Sequence, residues 1–223
     1  MGFAWNGVHT SSIKLYAEAR ALPVLPEPMI ITEELAGRDG FYDFTAYNAD
    51  GRQHYRAREW EYRCAFEGAL KTNAAGRVEA IARLFGDYAG HLIDDGCVTV
   101  RWEGVVANQI NLTSVARAMH TFGVIIRTQP FGEGLTTVTY TRGVSGAGSV
   151  SLSNPGTWYV KPRIYLTGAA SGMTINGKPI PYAGALINRP VDWLELRPGD
   201  NEWAVAGFSG EMKFEFTPIY VWG

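Results

Sequence analysis

The 223-residue sequence is poor in cysteine and carries little net charge. Its two cysteines, Cys64 and Cys97, allow one disulfide but no disulfide framework. Because alternation places Cys64 on a buried face, we expect two reduced core thiols in a protein made in a reducing compartment. The formal charge of -2 offers no basic surface that would wrap a nucleic acid, so protein partners are the favoured class.

Long apolar runs are missing as well. No stretch approaches the roughly 20 apolar residues that a membrane span needs. The N-terminus, Gly2-Phe3-Ala4-Trp5-Asn6, lacks the basic and apolar regions of a signal peptide. We therefore expect neither membrane insertion nor a secretion signal.

Catalytic and metal-binding patterns are equally scarce. The sequence has four histidines, His9, His54, His91 and His120. None lies at a metal-ligand spacing, and Asp94-Asp95-Gly96 is better explained as a turn between a helix and the next strand. The glycine-rich segment 143–148 lacks the Lys-Ser/Thr of a phosphate-binding loop, and no G-x-S-x-G elbow is present. We predict no catalytic residue, no metal site and no cofactor, and hence a protein that is not an enzyme.

What the sequence does contain is glycine, with 26 residues, and alternating strands. The clearest strand covers residues 59–67, where one face is apolar: Trp60, Tyr62, Cys64 and Phe66. This period of two predicts an antiparallel strand with one buried face. Residues 98–102 and 212–217 alternate in the same way, and residues 112–126 predict one or two further strands.

One helix is predicted, over residues 74–88. Its apolar side chains recur at helical spacing on one face: Val78, Ile81, Ala82 and Phe85. Thr72 or Asn73 can cap its first amides, and Gly90 can end it. We expect this face to pack against a β-sandwich rather than to bind a cofactor.

The sequence pattern changes near residues 128–134, where we place a domain boundary. Beyond it, turn signals separate short strands: Asn154-Pro155-Gly156, Asn176-Gly177 and Pro198-Gly199-Asp200. This pattern predicts a second β-sandwich or a jelly roll. We expect the aromatics of this half to lie in its core, although they could also stack on a sugar: Trp158, Tyr159, Trp193 and Trp203.

Residues 21–28 contain three prolines, which block both a helix and a central strand. We interpret this segment as an extended surface arm. Gly37-Arg38-Asp39-Gly40 follows as a turn, because Gly accepts positive φ and Asp can bond its own backbone. An aromatic stretch of Phe41, Tyr42 and Phe44 comes next, and then a hairpin turn at Asp50-Gly51.

Several of these segments, in this order, resemble the distal tail protein family of long-tailed bacteriophages and prophages. The start, Gly2 to Val8, is similar to the start of that family. Gly37-Arg38-Asp39-Gly40-Phe41-Tyr42-Asp43-Phe44 closely resembles its most recognisable element. A strand like the one at residues 58–66 and a helix like the one at 74–88 follow in the family's order.

The second half continues the resemblance. Residues 154–162 look like the family's Asn-x-Gly-Thr…Pro strand pair, residues 196–201 like its Leu-x-Pro-Gly-x-Asn turn, and residues 214–220 like its closing strand. There are departures. Leu84-Phe85 stands where the family often has a Trp-Leu pair, the proline arm matches no motif, and no added carbohydrate-binding module interrupts the second half.

The resemblance implies a mostly β fold with two domains. Residues 1–130 would form an N-terminal β-sandwich with one packed α-helix, which builds a ring. Residues 131–223 would form a C-terminal galectin-like β-sandwich, whose last strand can return to the first domain. The family's role implies a structural protein of the virion tail tip, assembled in the cytoplasm of the bacterial host.

The implied partners follow from that role. The chain would form a homo-hexameric ring that joins the tail tube protein to the tail-associated lysin or hub protein. The tape-measure protein and DNA would pass through the channel of the ring, without specific DNA binding.

We place the ring contact in residues 21–44. The candidate interface residues are Gly37, Arg38, Asp39, Gly40, Phe41 and Tyr42. Two other functions stay open. A lectin-like module that binds host-surface glycans predicts a platform of exposed aromatics, and a tail-tube subunit predicts stacking into long tubes instead of single rings.

Overall fold

The computed structural model describes residues 2–34, 36–37, 39–43, 45, 53–68, 74–116, 118–180 and 193–222. The chain divides into two compact units, Met1–Gly132 with Val221–Gly223, and Glu133–Tyr220. Strands dominate both units, which confirms the predicted mostly β fold. No helix in the described ranges is long and apolar enough to cross a membrane.

The first unit contains one large antiparallel sheet, a separate two-stranded hairpin and one helix. Its strands are β1 (Phe3–Trp5), β2 (Val8–His9), β3 (Tyr16–Ala21), β4 (Thr32–Glu34), β5 (Phe41–Asp43), β6 (Arg58–Glu67), β7 (Ala89–Asp94), β8 (Val100–Val106), β9 (Thr113–Ala116) and β10 (Met119–Thr128). A 3-10 turn, Thr10–Ile13, follows β2, and helix α1 covers Ala74–Phe85. The strand order is β2-β1-β7-β8-β10-β6-β3, with β9 beside β10, while β4 and β5 form a separate hairpin.

Strand β6 contributes four of the buried hydrophobic side chains of the first unit, Trp60, Tyr62, Cys64 and Phe66. Its side chains alternate between buried and exposed along the strand, as the sequence predicts. The ring of Trp60 packs against Trp102 of β8, with ring centroids 4.8 Å apart. The hydroxyl of Tyr62 donates to the buried carboxylate of Asp94 at 2.8 Å. Both cysteines are buried and no disulfide joins them, as expected.

Helix α1 is shorter than predicted, since it ends at Phe85 rather than near Tyr88. Gly86 follows the last helical residue, and glycine stabilises a helix poorly because of its backbone freedom. Gly90, the predicted stop, lies inside strand β7. The proposed caps at residues 72 and 73 lie outside the described part of the chain.

Strand β7 was not predicted from the sequence, and it changes the meaning of the acidic turn. It pairs with β1 on one side and with β8 on the other. The turn after Asp94 therefore joins two strands, not a helix and a strand. The polar residues His91 and Asp94 obscure the alternation of β7, although Leu92 and Asp94 are both buried.

The structure defines the bounds of two other predicted strand regions. The stretch from residue 112 to 126 gives two strands, β9 and β10. The strand predicted from residue 98 begins only at Val100, because Val98 lies in a preceding turn and is 62% exposed.

The second unit is built from strands with one apolar core. Strands β12 (Val138–Asn154), β15 (Gly199–Phe216), β13 (Arg163–Ile175) and β14 (Lys178–Pro179) pair in that order. The short strands β11 (Gly132–Gly134) and β16 (Ile219–Tyr220) pair with each other. The core is a single cluster whose larger members are Ile164, Leu166, Trp203, Phe208 and Phe214.

The four-stranded sheet folds over on itself. The Tyr140 hydroxyl donates to the Ser153 backbone carbonyl at 3.0 Å, although an extended strand would separate two such residues by roughly 40 Å. The fold-over coincides with a register shift between Gly146 and Ala147. Gly146 has a φ of 76°, a conformation that glycine adopts readily.

The predicted turns of this unit are closed by asparagine side chains. Asn154 accepts a hydrogen bond from the amide of Gly156 at 2.9 Å, and Asn201 accepts one from the amide of Arg197 at 2.9 Å. Asn176 and Gly177 have φ values of 50° and 74° and join β13 to β14, as the two-residue hairpin signal predicts.

Candidate functional site

The largest concentration of exposed apolar side chains among the described residues extends from the end of β3 through β5. We call residues 22–31 the arm, and strands β4 and β5 with the loop between them the hairpin. Of the 17 exposed large hydrophobic residues in the described ranges, eight belong to these two segments: Leu22, Val24, Leu25, Met29, Ile30, Ile31, Phe41 and Tyr42. This concentration differs from the scattered apolar residues of an ordinary protein surface, and it makes the two segments a candidate interaction surface.

The root of the arm is fastened by a buried arginine. Arg58, at the start of β6, is 2% exposed, and its Nη1 donates to the backbone carbonyls of Pro23 at 2.8 Å and Val24 at 3.4 Å. Its Nε donates to the carbonyl of Pro130 at 2.6 Å, and its Nη2 donates to the carbonyl of Val221. These four acceptors are neutral, and burial lowers the pKa of Arg58 to about 10.

The middle of the arm is held through its backbone. Pro28 forms an isolated antiparallel bridge with Tyr55. The amide of Met29 donates to the carbonyl of His54 at 2.8 Å, and the amide of Arg56 donates to the carbonyl of Glu27 at 2.8 Å. The carbonyl of Met29 also accepts from the Gln53 side chain at 3.1 Å.

The end of the arm is held in the same way. The amide of Ile31 donates to the hydroxyl of Thr45 at 2.9 Å. The arm is therefore ordered through its backbone while its apolar side chains face outward. An ordered apolar segment loses little conformational entropy on binding, which favours association.

The hairpin continues from the arm. In its register Glu33 lies opposite Tyr42 and Glu34 opposite Phe41. Gly37 and Gly40, in the connecting loop, have φ values of 83° and 88°, as the turn signal predicts. Phe41 is 65% exposed and Tyr42 is 38% exposed.

The structure thus brings five of the six candidate interface residues into one loop and its following strand. They are Gly37, Asp39, Gly40, Phe41 and Tyr42. Arg38 lies outside the described residues, and so do Phe44 and the predicted turn at Asp50-Gly51. Arg58 is not among the predicted site residues, because the other charged residues of β6 face solvent and its sequence pattern does not set it apart from them.

The acidic cluster near His91 has a structural role. Asp94 accepts from the Tyr62 hydroxyl at 2.8 Å and from the Gly96 amide at 2.8 Å, so its carboxylate closes a turn. Across the described ranges, no group of three or more His, Cys, Asp or Glu side chains is placed to hold a metal ion.

A second polar cluster has the residue types of a catalytic triad. Ser11 Oγ lies 2.6 Å from His9 Nδ1, and His9 Nε2 lies 2.9 Å from Asp95 Oδ1. The backbone amide of Ser11 also donates to His9 Nδ1, at 3.2 Å. His9 is therefore the N-cap of the 3-10 turn, and this geometry explains the cluster as a cap.

The aromatics of the second unit divide between core and surface. Trp203 is 4% exposed, as the core interpretation expects. Trp158 and Tyr159 are half-buried and meet edge to face, with ring centroids 5.7 Å apart. The core interpretation is wrong for Trp193, which is 36% exposed and has the ammonium of Lys178 at 5.3 Å from its ring centroid.

Comparison with known proteins gives a clear result for the fold. No protein-family model matches the sequence, and no curated protein is significantly similar to it. The crystal structure of the SPP1 Dit protein, described as a paradigm of the hub adsorption apparatus in phages that infect Gram-positive bacteria, superposes with a TM-score of 0.70. The sequences are 15% identical, and the alignment covers 98% of each chain.

A chain of the phage p2 baseplate in its activated conformation aligns less well, with a TM-score of 0.42 and 7% identity over 94% of this chain and 92% of that one. This similarity is too low to assign a fold. The likeness to SPP1 Dit spans nearly the whole chain. The chain therefore shares the fold of the SPP1 Dit protein, in agreement with the mostly β fold that the resemblance to distal tail proteins implied.

Proposed function

We propose that this chain is a distal tail protein, a structural hub at the tail tip of a bacteriophage. Six copies form a ring that joins the tail tube protein to the tail-associated lysin or hub protein. The tape-measure protein and DNA pass through its channel. The protein is assembled in the cytoplasm of the bacterial host and acts in the virion, with no catalytic role.

The observation that carries this proposal is the ordered arm. A ring requires heterologous contacts, in which one surface of a copy meets a different surface of the next copy. A stable obligate contact buries roughly 2,000 Å² or more. The arm and hairpin expose eight large apolar side chains, and this surface is fixed at Arg58, at the Pro28–Tyr55 bridge and at Thr45.

Charge supports a protein partner for the same surface. Residues 22–34 contain Glu27, Glu33 and Glu34 and no Lys or Arg. The negative charge of this segment repels DNA. It also disfavours a contact between the same segments of two copies. The likeness of the fold to a protein described as a hub adds support from an independent direction.

Negative-stain microscopy of the purified protein tests the proposal. We expect single rings with a central channel, and native mass spectrometry should give the mass of six copies. Long stacked tubes would favour a tail-tube subunit instead. Monomers at all concentrations would refute the ring.

A lectin-like function is the second candidate, and the exposed Trp193 beside Lys178 is the observation that favours it. Aromatic faces stack on sugars, but a platform would need more than one exposed ring. A glycan array probed with the full chain, and with Trp193→Ala as its control, tests this function. Robust binding that the substitution abolishes would favour a glycan-binding role for the second unit.

A further inference from the structure

We propose that the arm of one copy seats its uncharged segment, residues 28–31, in an apolar groove beside helix α1 of the next copy. This inference rests on the proposed ring, and it identifies the surface that receives the arm. The groove lies between α1 and the chain that follows β8. It has a volume of about 300 Å³, and its apolar walls are Val78, Ile81, Phe85, Val106, Ile110 and Leu112.

The chain that leads into the outer wall of the groove is fastened to the sheet. The side-chain oxygen of Asn108 accepts from the amide of Ile125 at 2.6 Å. Its side-chain nitrogen donates to the carbonyl of Gly123 at 3.0 Å. The amide of Ala107 also donates to the carbonyl of Ile125 at 2.8 Å. Residues 107 and 108 beside the groove are therefore held in place before a ligand enters, which lowers the entropic cost of binding.

The groove and the arm match in charge. Among the described residues, no charged side chain lines the groove. The arm segment, Pro28-Met29-Ile30-Ile31, is also uncharged. Burying it leaves no unpaired charge, whereas burial of a charged segment would carry a large desolvation cost.

Another open surface of the same unit fits the arm less well. The hollow over β3, β6 and β10 includes exposed Tyr16 and Met119, but Glu18 and Arg63 also line it. An uncharged segment seated there would desolvate both charges. The groove beside α1 avoids this cost.

The occupant comes from a second copy. The arm of the same chain does not line the groove, and its backbone is held elsewhere by the Pro28–Tyr55 bridge and by the bond from Ile31 to Thr45. A projecting segment and a complementary groove at different places on one molecule produce a head-to-tail contact. Repetition of that contact closes a ring when the rotation permits it.

Engineered thiols test the contact. Ile30 is 58% exposed and Leu112 is 39% exposed, so Ile30→Cys and Leu112→Cys leave the core intact. A short bismaleimide should convert the double variant into a ladder of covalent oligomers on a denaturing gel. The two single variants, mixed, should give covalent dimers only. The native cysteines are buried and should not react with the bismaleimide under native conditions.

The control pairs Ile30→Cys with Val98→Cys, because Val98 is 62% exposed, more than Leu112, but lies outside the groove. We expect no ladder from this pair. Rings that form without a cross-link between residues 30 and 112, or a cross-link found only within single chains, would overturn the docking while the ring stands. A wild-type protein that forms no ring would instead refute the proposed function itself.

Charge substitutions give an independent readout. Ile30→Glu or Leu112→Lys should each reduce the ring fraction in native mass spectra at least tenfold. Combining them should restore part of it, because the two new charges attract. Val98→Glu should leave the ring fraction unchanged. Equal loss in the single and the double variants would count against a direct contact between these residues.

Discussion

The guanidinium of Arg58 donates to the backbone carbonyl of Val221, a residue that lies 163 positions further along the chain. The same side chain holds the root of the arm through Pro23 and Val24. Val221 precedes Trp222, whose ring stacks on Trp60 with centroids 5.6 Å apart. One buried cation thus fixes both the arm and the C-terminal segment of the first unit.

Arg58→Met should therefore destabilise the protein by about 2–4 kcal/mol, because the substitution leaves buried carbonyls without a donor. Arg58→Lys should recover only part of the loss, since an ammonium lacks the planar fork that reaches carbonyls in three directions. Urea unfolding followed by tryptophan fluorescence measures both effects. Full recovery by Lys would show that charge alone, without the fork, fastens these segments.

Two facing glycines give a prediction for the second unit. Gly168 and Gly210 are cross-strand partners in β13 and β15. A Cβ on Gly168 would lie 2.3 Å from the Ser209 carbonyl oxygen, and one on Gly210 would lie 2.3 Å from the Thr167 carbonyl oxygen. Either Ala substitution should cost about 2–4 kcal/mol, because backbone must move.

Gly143→Ala is the matched control for these substitutions, since nothing lies within 4 Å of its Cβ position. It should leave the free energy of unfolding within about 0.5 kcal/mol of wild type or raise it slightly. Thermal unfolding of the three variants would separate the cases. Equal melting temperatures for all three would contradict the close approach of the two strands.

Much of this fold can be predicted from the sequence where the signal is local. The alternation of β6 depends on a period of two, and the turns at Asn154, Asn176 and Asn201 depend on side chains that bond within a few residues. Each of these features is decided by neighbouring residues.

Features decided by distant contacts could not be predicted. Strand β7 is a strand because β1 and β8 flank it, and its own sequence is too polar to show this. Arg58 is buried because carbonyls from residues 23, 130 and 221 surround it, and none of these is near it in sequence. The arm was predicted from its prolines. The groove beside α1 could not be predicted, because it forms only where the helix and the chain after β8 come together in the fold.

Asn154 offers a test of the link between two turns of the second unit. It is 1% exposed, and its side-chain nitrogen donates to the carbonyls of Trp158 at 2.9 Å and Leu196 at 3.5 Å. Asn154→Ala should lower the free energy of unfolding by about 2–3 kcal/mol, because it leaves buried polar groups without hydrogen-bond partners. Asn201→Ala removes a comparable set of bonds at an exposed turn and should cost about 1 kcal/mol or less. Chemical denaturation of both variants checks the order.

Alkaline pH should weaken the fold through Cys64. Burial raises the pKa of its thiol from 9.0 to about 12. Below pH 9 the thiol is neutral in both the folded and the unfolded chain, so it contributes no pH dependence. Above pH 9 the unfolded chain loses this proton first, and the free energy of unfolding falls with pH until the folded thiol also ionises near pH 12.

The window from pH 9 to pH 10 isolates this thiol. The Tyr62 pKa is also raised, by burial and by Asp94. Because the ordinary pKa of tyrosine is 10.0, Tyr62 lowers the free energy of unfolding only from about pH 10 upward. Burial lowers the pKa of Arg58 to about 10, so the folded chain loses this proton before the unfolded chain does. Arg58 therefore raises the free energy of unfolding with pH, but only from about pH 10 upward. Urea unfolding at pH 8, 9 and 10 should show wild type losing about 1 kcal/mol more than Cys64→Ala. The substitution itself costs stability at every pH, so the pH slope is the measurement, and parallel slopes would mean that Cys64 is not ionising on unfolding.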